Sequence, residues 1–312
     1  MNKDIISPVD KKILEKELSE DKFIRHTNNK SNEIYIVTNH NSPNVIREIG
    51  RLREITFRRA GGGTGEEIDI DEFDICANPY KQLIVWDTKE REIVGGYRFI
   101  RCDEAIKDKN GEYILATAHL FKYSEIFEKY YMPYTIELGR AFVQPHYQPT
   151  NDPRKGLYAL DNIWDGLGAI VIDNPDIRYF FGKITMFLNF NQQARDLILY
   201  FMHCYFPDRE NLVTPKFPRG LQTDTRELKA IFKGNSYQEN YKILVQSVRK
   251  FHENIPPLIN AYMNISPSML TFGTALNDTF GDVEETGILV TISDIYDIKK
   301  ERHLHSYNKD KK

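Results

Sequence analysis

Apolar and polar positions along this chain follow two rhythms, and the alternation between them outlines a fold. Short runs rich in β-branched and aromatic residues predict strands at Glu33–Thr38, Gln82–Asp87, Glu92–Arg101, Tyr134–Val143, Arg178–Leu188 and Gly287–Ile292. A short charged turn joins the second and third of these, which predicts a hairpin. Ser42-Pro43 is a helix-start signal, a capping residue before proline at the first helical position. Val45, Ile46, Ile49, Leu52 and Thr56 then recur at helical spacing, as a core-facing stripe does. Further helices are expected at Leu120–Tyr131, Leu157–Val171, Ala194–Phe206, Gln238–His252 and Pro257–Met263. Residues 103–112 read as a polar loop and 207–220 as a proline-punctuated one. Strands alternating with helices, plus a hairpin, indicate an α/β domain with a mixed sheet.

Composition narrows the class of protein. The chain has 312 residues, 41% hydrophobic, with a net charge of -3. That is ample for a core, and it provides no global basic field for nucleic acid. Cys76, Cys102 and Cys204 form no disulfide framework and no paired metal knuckle, which fits a reducing compartment. The charged start has no apolar signal core, and no apolar run approaches the length of a membrane span. The expected location is the cytoplasm, with peripheral contact at the inner membrane left open.

Candidate chemistry centres on Glu137-Leu138-Gly139-Arg140, inside the run closed by Pro145. Carboxylates and guanidinium groups are seldom buried unless paired. Side chains alternate along a strand, so residues 137 and 140 should point to opposite faces. A bulge at Gly139 would shift the parity and bring both to one face, and an internal strand glycine is the usual mark of a bulge.

Other features are read against plainer alternatives. The run Ala60-Gly61-Gly62-Gly63-Thr64-Gly65 lacks the Lys-Ser/Thr of a nucleotide loop and reads as a mobile surface loop or lid. Asp69-Ile70-Asp71-Glu72-Phe73-Asp74 is an acidic patch. Arg98, in Gly95-Gly96-Tyr97-Arg98, either pairs with Asp71 or Asp74 to fix that loop to the sheet, or helps these carboxylates hold an amine substrate. Arg154-Lys155-Gly156 precedes a predicted helix, whose N-terminus suits phosphate. The histidines, including His119, His146, His203, His303 and His305, lack metal-ligand spacing and read as surface or core residues. No metal and no covalent nucleophile is proposed.

Taken in order, Arg53-x-x-x-Phe57, Asp71-x-x-Asp74, Gly95-Gly96-Tyr97-Arg98 and Glu137-x-x-Arg140 resemble the carrier-protein-dependent N-acyltransferases of the acetyltransferase-like (GNAT) superfamily. Two branches share the pattern: acyl-homoserine-lactone synthases, and hemolysin-like enzymes that N-acylate ornithine or glycine to make aminolipids. Glu137 to Tyr147, Ile255 to Tyr262 and Gly287 to Thr291 are more similar to the second branch. The resemblance spans about residues 44 to 300. It implies an α/β (α+β) GNAT-like fold: a mixed, mostly antiparallel sheet with a bulged, splayed central strand and flanking helices. The implied organisation is an N-terminal extension (1–30), one acyltransferase domain (31–300) with a helical insertion at about 207–255, and a basic tail (301–312).

It also implies a mechanism. The amine of an amino acid attacks the thioester of acyl carrier protein or coenzyme A, a cosubstrate and not a bound cofactor. Glu137 is the expected base, with Arg140 aligning it or pairing with Asp71 or Asp74. Arg53, Phe57, Asp71, Asp74 and Arg98 are the expected acceptor-binding or network residues. Gly139, Ala141, Phe142, Val143, Arg154, Lys155 and Gly156 are the expected residues for the acyl thioester and pantetheine. The 154–156 loop carries fewer glycines than the family's usual one, which favours carrier protein over coenzyme A. Tyr200 lies near the superfamily's tyrosine acid but out of register. Phe142, Phe180, Phe181, Met186, Phe187 and Phe190 could line an acyl groove or form plain core. The basic tail could meet a carrier protein or anionic lipid. Rival readings are a lactone-forming signal synthase, an acetyl-coenzyme A acetyltransferase and a non-catalytic binding protein.

Overall fold

The computed structural model describes residues 2–29, 32–148, 151, 156 and 158–308. Its first strands are β1 (Phe23–His26), β2 (Glu33–Val37), β3 (Lys81–Asp87), β4 (Glu92–Arg101) and β5 (Phe121–Tyr123). Then come β6 (Thr135–Val143), β7 (Tyr179–Met186), β8 (Val213–Pro215), β9 (Leu270–Asn277) and β10 (Val283–Thr291). Helices α1 (Lys11–Glu17), α2 (Pro43–Ala60), α3 (Glu72–Ile75) and α4 (Ala159–Asp173) lie in the first half. They are followed by α5 (Gln192–Tyr205), α6 (Thr225–Ile231), α7 (Tyr237–Arg249), α8 (Pro257–Met263) and α9 (Asp297–His303).

The chain divides into two compact units. The first comprises Met1–Ala116, Tyr134–Arg178 and Asp297–Lys312. Its strands run in the order β1-β2-β3-β4-β6, each antiparallel to its neighbour. Residues 1–30, expected as an extension, supply α1 and the edge strand β1. Leu14 and Leu18 join Val45, Ile46, Ile49 and Leu52 of α2 in one core with Tyr35, Ile84 and Phe142 from the sheet. At the start of α2 the Glu17 carboxylate accepts the Asn44 and Val45 N–H groups, both at 2.9 Å. That satisfies donors which the Ser42 side chain leaves open.

One feature of this unit departs from expectation. The glycine run is pinned, because the buried Glu54 carboxylate accepts the N–H groups of Thr64 (3.0 Å) and Gly65 (2.9 Å) and the Thr64 hydroxyl (2.8 Å). A carboxylate fills the position a phosphate loop would offer its ligand. At the other end, the expected basic tail contributes to α9, whose His303 is buried. His303 Nδ1 lies 2.8 Å from Asp165 Oδ1 of α4, and Asp165 also accepts the Asn28 N–H at 2.8 Å.

The second unit comprises Thr117–Pro133 and Tyr179–Tyr296. Its strands pair antiparallel as β7-β10-β9 and as β5-β8. Leu120–Tyr131 is not one helix: Phe121–Tyr123 pairs with Val213–Pro215, and only 125–131 is helical. The pattern Phe121-Lys122-Tyr123 has the strand period of two, which the longer apolar run obscured. β9 escaped the sequence reading because Gly273 and three threonine or asparagine residues interrupt its apolar pattern. Phe180, Phe181 and Met186 are buried core residues, with Phe181 edge-on to Phe127 and Phe272. Among the described residues, no helix is long and apolar enough to cross a membrane.

Gly168 of α4 has room for no side chain, since a Cβ there would lie 2.1 Å from the His303 carbonyl oxygen. Gly168→Ala should therefore displace α9 and cost about 1–3 kcal/mol. Urea unfolding of the variant checks this, and an unchanged midpoint would contradict the packing described.

Candidate active site

The site grows from the register of three strands. Gln82 faces Arg98 across β3 and β4, and Arg98 faces Gly139 across β4 and β6. Directly opposed residues share a face, so Gln82, Arg98, Gly139 and, two residues along, Glu137 all point the same way. Gly95 and Gly96 permit this tight pairing. A Cβ at either would come within 2.3 Å of a carbonyl oxygen on the adjacent strand.

The predicted bulge is present, one residue beyond its expected place. Gly96 pairs with Phe142 and Arg98 with Gly139, so Arg140 and Ala141 together oppose Tyr97. Arg140, not Gly139, adopts the left-handed conformation, with φ 48°. That conformation costs an ordinary residue roughly 1–2 kcal/mol. It turns Arg140 onto the face of Glu137, where its Nε lies 3.0 Å from Asp69 Oδ2 and its Nη2 lies 3.6 Å from Asp71 Oδ2.

The acidic patch is a built element. Asp71 caps α3, and Asp74 returns the contact to the Asp71 N–H, so the two carboxylates hold each other in place. Arg53, from α2, donates to Asp69 (Nε, 3.1 Å) and Asp74 (Nη2, 2.7 Å) and is buried with both. Arg98 Nη1 donates to both Asp71 oxygens, at 2.7 and 2.8 Å, and lies 3.4 Å from Asp74. The Arg98 guanidinium sits over the rings of Phe73 and Tyr80, 5.5 and 5.2 Å from their centroids. Gln82 donates to Asp74 at 2.8 Å. The paired reading of Arg98, Asp71 and Asp74 is thus realised, and one network joins Arg53, Arg140 and Asp69 to it.

Glu137 is buried and accepts a 2.8 Å hydrogen bond from the Tyr80 hydroxyl. That hydroxyl in turn accepts the Ala116 N–H at 2.9 Å. Burial, and then the neighbouring Glu137, push the Tyr80 hydroxyl well above its ordinary pKa, so it stays a proton donor. Burial alone would raise the Asp69 and Asp74 carboxyls. Instead the surrounding arginines hold both below the usual carboxylate range: Arg140 and Arg53 act on Asp69, and Arg53 and Arg98 on Asp74.

Phe57, one turn on from Arg53, is half-buried and packs on the α2 core. Phe142 belongs to that same core, whereas Ala141 and Val143 are half-buried. Arg154 and Lys155 lie outside the described residues, and Gly156 is buried in helical conformation. Tyr80, Asp69 and Gln82 were not singled out from sequence. Parity along β3 could have found Tyr80, which sits two residues before Gln82 on the same side. Among the described residues, no group of His, Cys, Asp and Glu is placed to hold a metal ion.

A buried carboxylate beside a bulged strand, in a mixed α/β unit with a largely antiparallel sheet, is the architecture expected of a GNAT-like fold. The family model described as acetyltransferase (GNAT) domain matches residues 52–153. The chain is 54% identical over 306 residues to a protein of Phocaeicola vulgatus, covering 98% of this chain and 94% of that one. It is 53% identical over 304 residues to one of Bacteroides thetaiotaomicron, covering 97% and 90%. Both relatives are named glycine N(alpha)-acyltransferase. A solved coenzyme A-dependent acyl-homoserine lactone synthase, BjaI with MTA, aligns at a TM-score of 0.31 and 14% identity. That alignment covers 49% of this chain and 67% of the other. The chain belongs to the family of these two relatives and is an acyltransferase.

Two outcomes follow. Asp69 and Asp74 bind protons less tightly folded than unfolded. Their contribution to stability is complete above about pH 4 and is lost as pH falls through their lower folded values. The urea midpoint should therefore drop as pH is lowered from about 4 to about 2, and less steeply in Asp74→Asn. A flat wild-type midpoint would contradict the network. Tyr80→Phe strips the Ala116 N–H of its acceptor and Glu137 of its donor, and should cost about 1–3 kcal/mol in the same measurement.

Proposed function

We propose that the enzyme transfers a fatty acyl group from acyl carrier protein to the α-amine of glycine in aminolipid synthesis, with Glu137 as the base. The observation that carries this is the buried Glu137 carboxylate, on the strand that carries the bulge and held at 2.8 Å by the Tyr80 hydroxyl. A carboxylate fixed in that way can take the proton of an ammonium brought beside it. Glycine as acceptor is supported by two relatives of that name at more than half identity over nearly the whole chain.

The step balances. Glu137 removes a proton from the glycine ammonium, directly or through a water, a role worth roughly 10²–10⁴-fold. The neutral amine forms a C–N bond to the thioester carbonyl. The tetrahedral oxyanion rests on backbone N–H donors at the bulge. Collapse breaks the C–S bond, the attacking nitrogen gives up its second proton to the departing sulfur, which leaves as the pantetheine thiol, and the proton held by Glu137 passes to solvent. Arg140 and Arg98 hold the carboxylates in register around this centre. A loop at 154–156 with few glycines supports carrier protein as donor, since it makes a poor cradle for the coenzyme A pyrophosphate. We place the enzyme in the cytoplasm, touching the inner membrane peripherally, where an amphiphilic product would partition.

Mass spectrometry of lipids tests the reading. A host without N-acylglycines, expressing this protein and fed ¹⁵N-glycine, should accumulate acylglycine species that carry the label. Acylated ornithine in their place, or no new species, would contradict it.

A further inference from the structure

We infer that the space over Gly139 is the seat of the acceptor's α-carboxylate, held by the Arg98 Nε–H. This rests on the acceptor being an amino acid, as proposed above. Arg98 Nε is buried and has no hydrogen-bond partner among the described residues. Buried guanidinium donors are ordinarily satisfied, so one left open in an otherwise fully paired network calls for an acceptor. The Nε atom lies 3.5 Å from where a Cβ on residue 139 would be, and Arg98 Cγ lies at 3.6 Å. Apart from residues 138–140 themselves, no other atom of the described residues comes within 4 Å of that point. Gly139 itself is partly exposed, while the Nε atom beside it is buried.

Gly139 is not needed for its backbone. It is absent from the glycines with positive φ; the left-handed residue of the bulge is Arg140. What glycine supplies here is the missing side chain, so that no Cβ stands 3.5 Å from the Nε atom. Glu137 projects from the same face two residues along β6, roughly 7 Å away by strand rise. An α-amino acid can bridge that interval, its ammonium on Glu137 and its carboxylate on Arg98.

The test reads binding apart from transfer. Wild-type enzyme, with and without a non-transferable thioether analogue of the acyl donor, is titrated calorimetrically with glycine and with glycinamide, which lacks the carboxylate. Glycine should bind at least tenfold more tightly than glycinamide. Gly139→Ala should fold with an unchanged melting temperature, because its Cβ meets Arg98 at ordinary contact distance. It should bind glycine at least tenfold more weakly, leave glycinamide within about twofold, and so abolish the discrimination. Equal binding of the two amines by wild type overturns the inference whatever the variant does, as does a folded Gly139→Ala variant that keeps tight glycine binding. Wild type that prefers glycine but never acylates it upholds the seat and sinks the proposed function. Acylation of glycine by Gly139→Ala at unchanged KM does the reverse, and failure to bind either amine sinks both.

Discussion

Arg53 lies wholly out of water, and its pairing with Asp69 and Asp74 is the constraint on which the candidate site depends. A guanidinium cannot stay buried alone, and removing one partner of a buried ion pair typically costs about 3–5 kcal/mol. The arginine comes from α2, Asp69 from the segment that leads into α3, Asp74 from α3 itself, and Gln82 and Arg98 from the sheet. Because each carboxylate serves two or more donors, helix, short helix and sheet must come together for any of the charges to be satisfied. Arg98 is raised further above its ordinary value despite burial, through Asp74 and Asp71, so it stays charged. The result is a rigid polar floor, which is the preorganisation that acyl transfer to an amine requires.

The bulge is where this floor meets the chemistry. A left-handed arginine is an unfavourable local choice, and it persists because Asp69 and Asp71 hold its far end. The same turn restores Glu137 and Arg140 to one face. Tyr80 then fixes Glu137 from the side, at the point where the polypeptide passes Ala116. Position of the carboxylate, alignment of the arginine and exposure of Gly139 thus come from one irregularity in one strand.

Much of this was legible in the sequence. The stripe of α2, the β3–β4 hairpin and the β6 run all show their period plainly, and the charged residues sit in them at readable offsets. The parity argument at 137 and 140 required a bulge, and a bulge is there. Its conformation was misplaced by one residue, because glycine is the default for a left-handed position and the tertiary salt bridges that let Arg140 take it are invisible locally. Tyr80 was missed for a related reason, since its partners are 57 and 36 residues away. The glycine run was misread as mobile because the carboxylate that pins it, Glu54, lies on the preceding helix among residues that look like an ordinary exposed turn. β9 was missed because its polar and glycine positions break the strand pattern.

The central claim is that Glu137 takes the proton from the acceptor amine, and purified enzyme tests it most directly. Glu137→Gln keeps the size of the side chain and an oxygen for the Tyr80 hydroxyl, so it should fold and bind acyl donor as wild type does. Its kcat/KM for acyl transfer to glycine should fall by roughly 100-fold or more. A folded Glu137→Gln enzyme within a few-fold of wild-type turnover would remove Glu137 from the mechanism and leave the network as architecture alone.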